Sequence, residues 1–416
     1  MVADASRQPT STTQPVDTDT RTRPPYLAVV LLALVTVYPV FVGNPEIFDQ
    51  SAHRDFARTL LVDGQLVTPH FGYHLLLLGV NSVIPGGALR IAGITVNIAA
   101  YVIAATLFFG VAHRYLQRDI PNAAYRLALA LIPLTILAGP PLAAISYHTD
   151  FRLNGYIIYN LFHSPTQSVL LPLAIALYVL TVRLLFTGEL ARWQMAALFT
   201  LSLVTPIAKP NFTMVLLPGV MLAAAYMLLI RRQSIPWRAL LLLVILPGTL
   251  ALSWQFIFTY IQQATIGYGI NESNSIIFVP FKTALYFDTS LPMVALKLVT
   301  SLAFPIWALA AYRDVRDNPV ILLTWLLVLI GLAQYILVTE SGEFYMAGNF
   351  NWGLRISALF LYALTLLHVL RVEWPVIGRH LSSPRLLVSA VLVVAHLIGG
   401  VHLYIGYANA IIPTLP

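Results

Sequence analysis

Residues 71–87, FGYHLLLLGVNSVIPGG, decide how the whole chain is laid out. The apolar part, Phe71–Pro85, holds 15 residues, short of the roughly 17–25 that cross a bilayer core, and Pro85-Gly86-Gly87 closes it. If this stretch spans, Arg114, Arg118 and Arg126 fall outside and every later loop inverts. If it lies along the outer interface, 16 of the 24 basic residues fall in inside loops or at their edges: Arg7, Arg21, Arg23, Arg114, Arg118, Arg126, Arg183, Arg192, Arg231, Arg232, Arg238, Arg313, Arg316, Arg371, Arg379 and Arg385. Lys and Arg favour cytoplasmic loops, so the interfacial reading is adopted. It leaves eleven predicted spans, at 26–42, 88–112, 125–146, 165–187, 193–209, 211–230, 238–259, 291–312, 320–339, 354–370 and 386–408, with the N-terminus inside and the C-terminus outside.

Composition requires such a layout. The chain has 416 residues, 58% hydrophobic and 10% charged, with mean hydropathy +0.78. Soluble domains carry about 25% charged residues, so this chain lacks the polar side chains to cover a folded surface in water. The expected fold class is all-α, a polytopic transmembrane helical bundle. Residues 1–25, rich in Ser, Thr, Asp and Pro, read as a disordered cytoplasmic tail, and residues 26–416 as one transmembrane domain. The first apolar stretch has no A-x-A-like site after it and reads as a retained span. The net charge of +7 is not clustered on a soluble face, which argues against a nucleic-acid partner. With no cysteine, disulfides, thiolate metal sites and cysteine nucleophiles are excluded. The bias of Arg over Lys is compatible with a prokaryotic source, which makes the membrane a plasma membrane.

The outer segments 44–87, 147–164, 260–290 and 340–353 hold most of the acids, histidines and aromatic residues. In the first, Ala52, Phe56, Leu60 and Leu61 recur at helical spacing, predicting an amphipathic interfacial helix over 48–62 that starts at Asp49. An acid there suits the helix dipole. Its place just beyond a span, beside Glu46, His53 and Asp55, also suits deprotonation of a hydroxyl arriving from the aqueous side.

This loop resembles the GT-C class of polytopic glycosyltransferases, which includes the protein O-mannosyltransferases and aminoarabinose transferases. Its matching features are Asp49, then Phe56-Ala57-Arg58, Leu60-Leu61 and Gly64, a Pro-containing segment Thr68-Pro69-His70-Phe71-Gly72-Tyr73-His74, and Gly86-Gly87-Ala88-Leu89-Arg90 opening the second span. Asp49-Gln50 stands where the class often has two acids, and Pro69-His70 where Pro-Pro is commoner. The match covers roughly the first quarter of the chain. It implies inverting transfer of a sugar from a polyprenyl-phosphate carrier to a lipid or glycan acceptor on the outer face, with Asp49 as general base.

Further candidates lie downstream. His148-Thr-Asp150-Phe-Arg152 offers Asp150 as a second acid, either catalytic or paired with Arg152 or Arg54. Lys209, in Thr205-Pro-Ile-Ala-Lys-Pro-Asn211, is the only cation at the tip of a tight hairpin and can meet a carrier phosphate as a point charge or simply snorkel. The segment 340–355 mixes acids, amides and aromatics suited to sugar binding. Glu343, Asn349, Asn351 and Trp352 are placed around sugar or acceptor, and Arg355 faces either a phosphate or Glu343. Arg54, His53 and His74 complete the expected substrate contacts. His163 reads more readily as a hydrogen-bonded interface residue. No cofactor is called for, and a divalent cation would lack a clear ligand set. The competing readings are a flippase or transporter of sugar precursors, whose polar residues would mark a path, and a non-catalytic scaffold in an envelope-glycan complex.

Overall fold

The computed structural model describes residues 25–43, 45–46, 49–85, 87–116, 156–157, 163–262, 274–288, 290–377 and 383–408; for residues 343, 344, 374–377 and 406–408 it describes the backbone alone. Among these residues, eight helices are long and apolar enough to cross a membrane, or nine if a bent pair is one span. The molecule is an all-α polytopic bundle. Of the eleven expected spans, 125–146 lies outside the described residues. The expected span 193–209 is helix Arg192–Ala208, 17 residues, and is not among the eight. The expected span 291–312 is broken: Leu291–Ser301 and Ala303–Ala311 meet at 63°.

The decisive segment 71–87 forms helix α3, Gly72–Val83, whose 12 residues reach only about 18 Å, well short of a bilayer core of about 30 Å. Before it come α1, Tyr26–Gly43, and α2, Gln50–Asp63, which stops where Gly64 takes φ 66°. That left-handed value is one glycine adopts without penalty. The expected amphipathic helix is therefore present. Gln50, His53 and Ala57 face the protein, while Leu61 and Val62 are exposed. Apolar side chains on this helix look outward, as lipid allows. Ala57 packs with Tyr73, Leu77, Ala92, Val96 and Ala208, clamping the loop onto the bundle.

The core is built from α4 (Leu89–Leu116), α5 (Pro165–Thr187), α6 (Arg192–Ala208), α7 (Asn211–Ile230) and α8 (Trp237–Ile261). Strand β1 (Ile276–Phe278) follows α8 and pairs with β2 (Val338–Glu340), which ends α9 (Pro319–Leu337); the central helix α10 (Asn351–Ile377) comes next. Pro165 and Pro319 start their helices at the position where a missing N–H costs nothing. Asn318 caps α9 by accepting from the N–H groups of Val320 (3.0 Å) and Ile321 (3.3 Å). In the most apolar stretch around α10, 89% of residues are buried, against 22% in the outer helix Pro384–Ile405. So α10 is the axis of the bundle and its first turn is fixed on all sides. Small residues set that fit. Gly353 meets the Asn211 carbonyl of α7, and Gly331 of α9 meets the Leu354 backbone.

Candidate functional site

The α6–α7 hairpin turns on Lys209-Pro210 between Ala208 and Asn211. Pro210 has no N–H, so the Pro206 carbonyl four residues earlier loses its helical donor. Gln255 of α8 supplies one: its Nε2 donates to the Pro206 carbonyl at 2.7 Å and to the Pro69 carbonyl at 3.4 Å. One amide thereby ties the hairpin tip to the Pro69-His70 segment of the first loop. It also orders the roof of a cavity of about 670 Å³.

Asp49, His53, Lys209, Asn349 and Trp352 all line this cavity, joining residues expected from three separate segments. Asp49 begins α2 but makes no capping hydrogen bond; its carboxylate lies 3.9 Å from His163 Nε2, and its N–H donates to the His163 carbonyl at 3.3 Å. The position is therefore not accounted for by capping. Lys209 does not snorkel. It is buried, donates to Thr166 Oγ1 at 3.2 Å and sits 5.0 Å from the Trp352 ring centre. Arg355 stacks on the same ring from 4.6 Å, and the Asn351 amide oxygen, turned to its guanidinium, accepts from Nε at 3.2 Å and Nη2 at 3.1 Å. Trp352 is thus in contact with two cations.

Behind Asp49 runs a buried polar chain. Lys209 donates to Thr166, the Thr166 and Ser164 hydroxyls lie 2.9 Å apart, Ser164 Oγ is 3.4 Å from His53 Nε2, and His53 Nδ1 is 2.9 Å from His74 Nε2. His74 supports His53 from outside the cavity. Burial pushes the His53 and His70 imidazoles well below their ordinary value, with neighbouring charge adding to it. Burial takes His74 and His163 down to about 4, Asp49 opposing the change at His163. Burial also brings the Lys209 ammonium down to about 8, again against the pull of Asp49. At neutral pH the four imidazoles are uncharged acceptors or donors around one carboxylate and one ammonium.

Several expectations are corrected. Arg54 does not line the cavity; its guanidinium is taken by Glu46, eight residues earlier, and by the Pro45 carbonyl at 3.0 Å. Arg355 is engaged by Asn351 and Trp352. Asp150 and the Glu343 side chain lie outside the described residues. His163 lines the site. Glu340, Tyr260 and Asn274 also line the cavity and were not singled out. Gln255 could have been, as the sole amide in an otherwise apolar stretch, since polar groups within spans mark sites. Among the described residues no group of three or more His, Asp or Glu side chains is disposed to hold a metal ion.

A second, shallower cavity of about 420 Å³, lined by Leu252, Ser253, Phe256 and Ile257 of α8, shares Leu252 and Phe256 with the first. The site therefore adjoins an apolar surface groove. No protein-family model matches the chain, and no curated protein matches it in sequence.

Proposed function

We propose that this protein is a GT-C-like membrane glycosyltransferase, moving a sugar from a polyprenyl-phosphate carrier to a lipid or glycan acceptor on the outer face of a plasma membrane. The observation that carries the reading is that Asp49 and Lys209, a base and a cation drawn from distant segments, share one cavity bordered by an apolar groove. In this reaction Asp49 takes the proton of the acceptor hydroxyl, and the acceptor oxygen forms its bond to the anomeric carbon from the face opposite the carrier. The bond from that carbon to the phosphate oxygen breaks, its electron pair leaves with the polyprenyl phosphate, and the configuration inverts. Lys209 meets the phosphate charge, with Arg355 behind Trp352 adding to the field. The Leu252–Ile257 face of α8 seats the prenyl tail. Asn349, Asn351 and Trp352 surround the sugar or acceptor, Asp150 and Glu343 remain the further acids assigned to it, and the scheme asks for no cofactor.

The test uses purified protein in phospholipid nanodiscs with radiolabelled polyprenyl-phosphate sugars and an extracted envelope acceptor. Label transfer is expected, and Asp49→Asn should lose it by more than about a thousandfold while the protein is still made and folded. Undiminished transfer in that variant would move the base elsewhere. Movement of intact lipid-linked sugar between leaflets of proteoliposomes, with no cleavage, would replace the enzyme by a transporter.

A further inference from the structure

Glu340 ends β2, where pairing with Ile276 of β1 holds its backbone, and its side chain is buried with no cation paired to it among the described residues. Three neutral donors hold the carboxylate instead. Tyr260 Oη and Asn274 Nδ2 donate to Oε1 at 2.9 and 3.0 Å, and Asn349 Nδ2 donates to Oε2 at 2.6 Å. A carboxylate offers about four acceptor positions, so one remains, on Oε2. Asn349 is fixed in turn, its carbonyl accepting from Asn211 Nδ2 at 2.5 Å, next to Lys209.

Gln255 and Asn274 line the same cavity, with amide oxygens that expose no surface to it. The Gln255 amide nitrogen is committed to the Pro206 and Pro69 carbonyls, and that of Asn274 to Glu340. These amide donors are committed within the wall, and Glu340 brings a carboxylate to the cavity. A carboxylate with an acceptor position to spare favours a ligand that brings donors. The phosphodiester of a glycosyl carrier brings none at neutral pH and meets the Glu340 carboxylate besides. A sugar brings several hydroxyls, and Tyr286 and Phe350 line the cavity with aromatic surface for its C–H face.

We propose that Glu340, held by Tyr260, Asn274 and Asn349, forms a hydroxyl-reading subsite that takes the neutral polyol part of the substrate and rejects anionic groups, so that a glycosyl phosphate enters with its phosphate toward Lys209. The assignment deepens the transferase reading and rests on it for which part of the substrate is met. Glu340 is here a specificity determinant. An amino sugar fits the charge as well as a neutral one, whereas a uronic acid does not.

The experiment is saturation-transfer NMR on the full chain in phospholipid nanodiscs, free of glycoside detergents, which would themselves compete. The probes are methyl glycosides of neutral hexoses and pentoses and methyl glucuronoside. Wild type should bind at least one neutral glycoside and bind the glucuronoside at least tenfold more weakly. Glu340→Gln should lower neutral binding fivefold or more while raising glucuronoside binding; these opposite changes are not produced by general loosening of the fold. Asn274→Ala leaves Glu340 only two donors, frees the carboxylate to turn from its position, and should weaken neutral binding in a protein that keeps its fold even if Glu340→Gln does not. Absence of glycoside binding in wild type, or equal neutral binding in the Asn274→Ala protein, overturns the subsite. Binding of bare polyprenyl phosphate, compared between wild type and Lys209→Met, reads the transferase assignment separately. Its failure with intact glycoside binding would sink the lipid-phosphate donor and leave the subsite standing.

Discussion

Gly353→Ala is the substitution whose outcome the packing determines most directly. A methyl built on Gly353 falls 2.6 Å from the Asn211 carbonyl oxygen and 2.8 Å from Val215 Cγ1. Close carbon–oxygen contacts in proteins sit at about 3.3–3.6 Å, so the first turn of α10 has to retreat from α7 by about 0.7 Å or more. Retreat is constrained, because the next residue, Leu354, already touches the space of Gly331 on α9. Overpacking of this kind costs about 1–3 kcal/mol. The displaced turn carries Trp352 and Arg355, and it pulls on the Asn211–Asn349 hydrogen bond beside Lys209. A shift near 1 Å in a positioned group can cost about a hundredfold in rate. Thermal unfolding in nanodiscs and polyprenyl-phosphate binding should therefore both worsen in Gly353→Ala. The control is Gly79→Ala on α3, where an added methyl meets nothing within 4 Å; it should be neutral or stabilising by up to about 1 kcal/mol. A Gly353→Ala protein as stable and as tight-binding as wild type would refute the close approach of α10 to α7 on which the site depends.

Acid should destabilise the fold through its neutral histidines. His74 and His163 titrate near 4 in the folded chain against about 6.5 when unfolded, so between those values the unfolded chain binds more protons and stability rises with pH. Their contribution is complete above about pH 6.5 and is lost as pH falls toward 4, up to about 3 kcal/mol for His74. Melting at pH 5 should come clearly below melting at pH 7.5, and an unchanged melting temperature would mean that these imidazoles are not buried neutral. Lys209, brought down to about 8, should lose polyprenyl-phosphate binding as pH rises beyond that value, by up to about tenfold per unit. Lys209→Arg stays charged throughout and should flatten the profile; a flat profile in wild type would remove Lys209 from phosphate contact.

Sequence alone determined the class of molecule and the chemical character of its outer segments, because apolar run length and the scarcity of charge are additive properties that need no knowledge of contacts. It also placed α2 and the short α3 within a few residues, through helical spacing and the Pro85-Gly86-Gly87 stop, and put Asp49, Lys209 and Trp352 among residues worth watching. It did not decide which face of α2 is buried, since an apolar stripe in a membrane protein can face lipid as readily as core; the buried face carries Gln50 and His53. It also gave Arg54 to substrate when Glu46, eight residues earlier, holds it. Only the tertiary structure decided that residues 49, 163, 209, 255, 340 and 352 meet in one cavity. That meeting depends on a glycine contact between α7 and α10, on a carbonyl stripped of its donor by Pro210 and satisfied by Gln255, and on a three-residue strand pair that holds Glu340. Each of these is a relation between residues far apart in the chain, and the physical reason none could be read from the sequence is that every one is set by distance and direction in space, which local residue pattern does not encode.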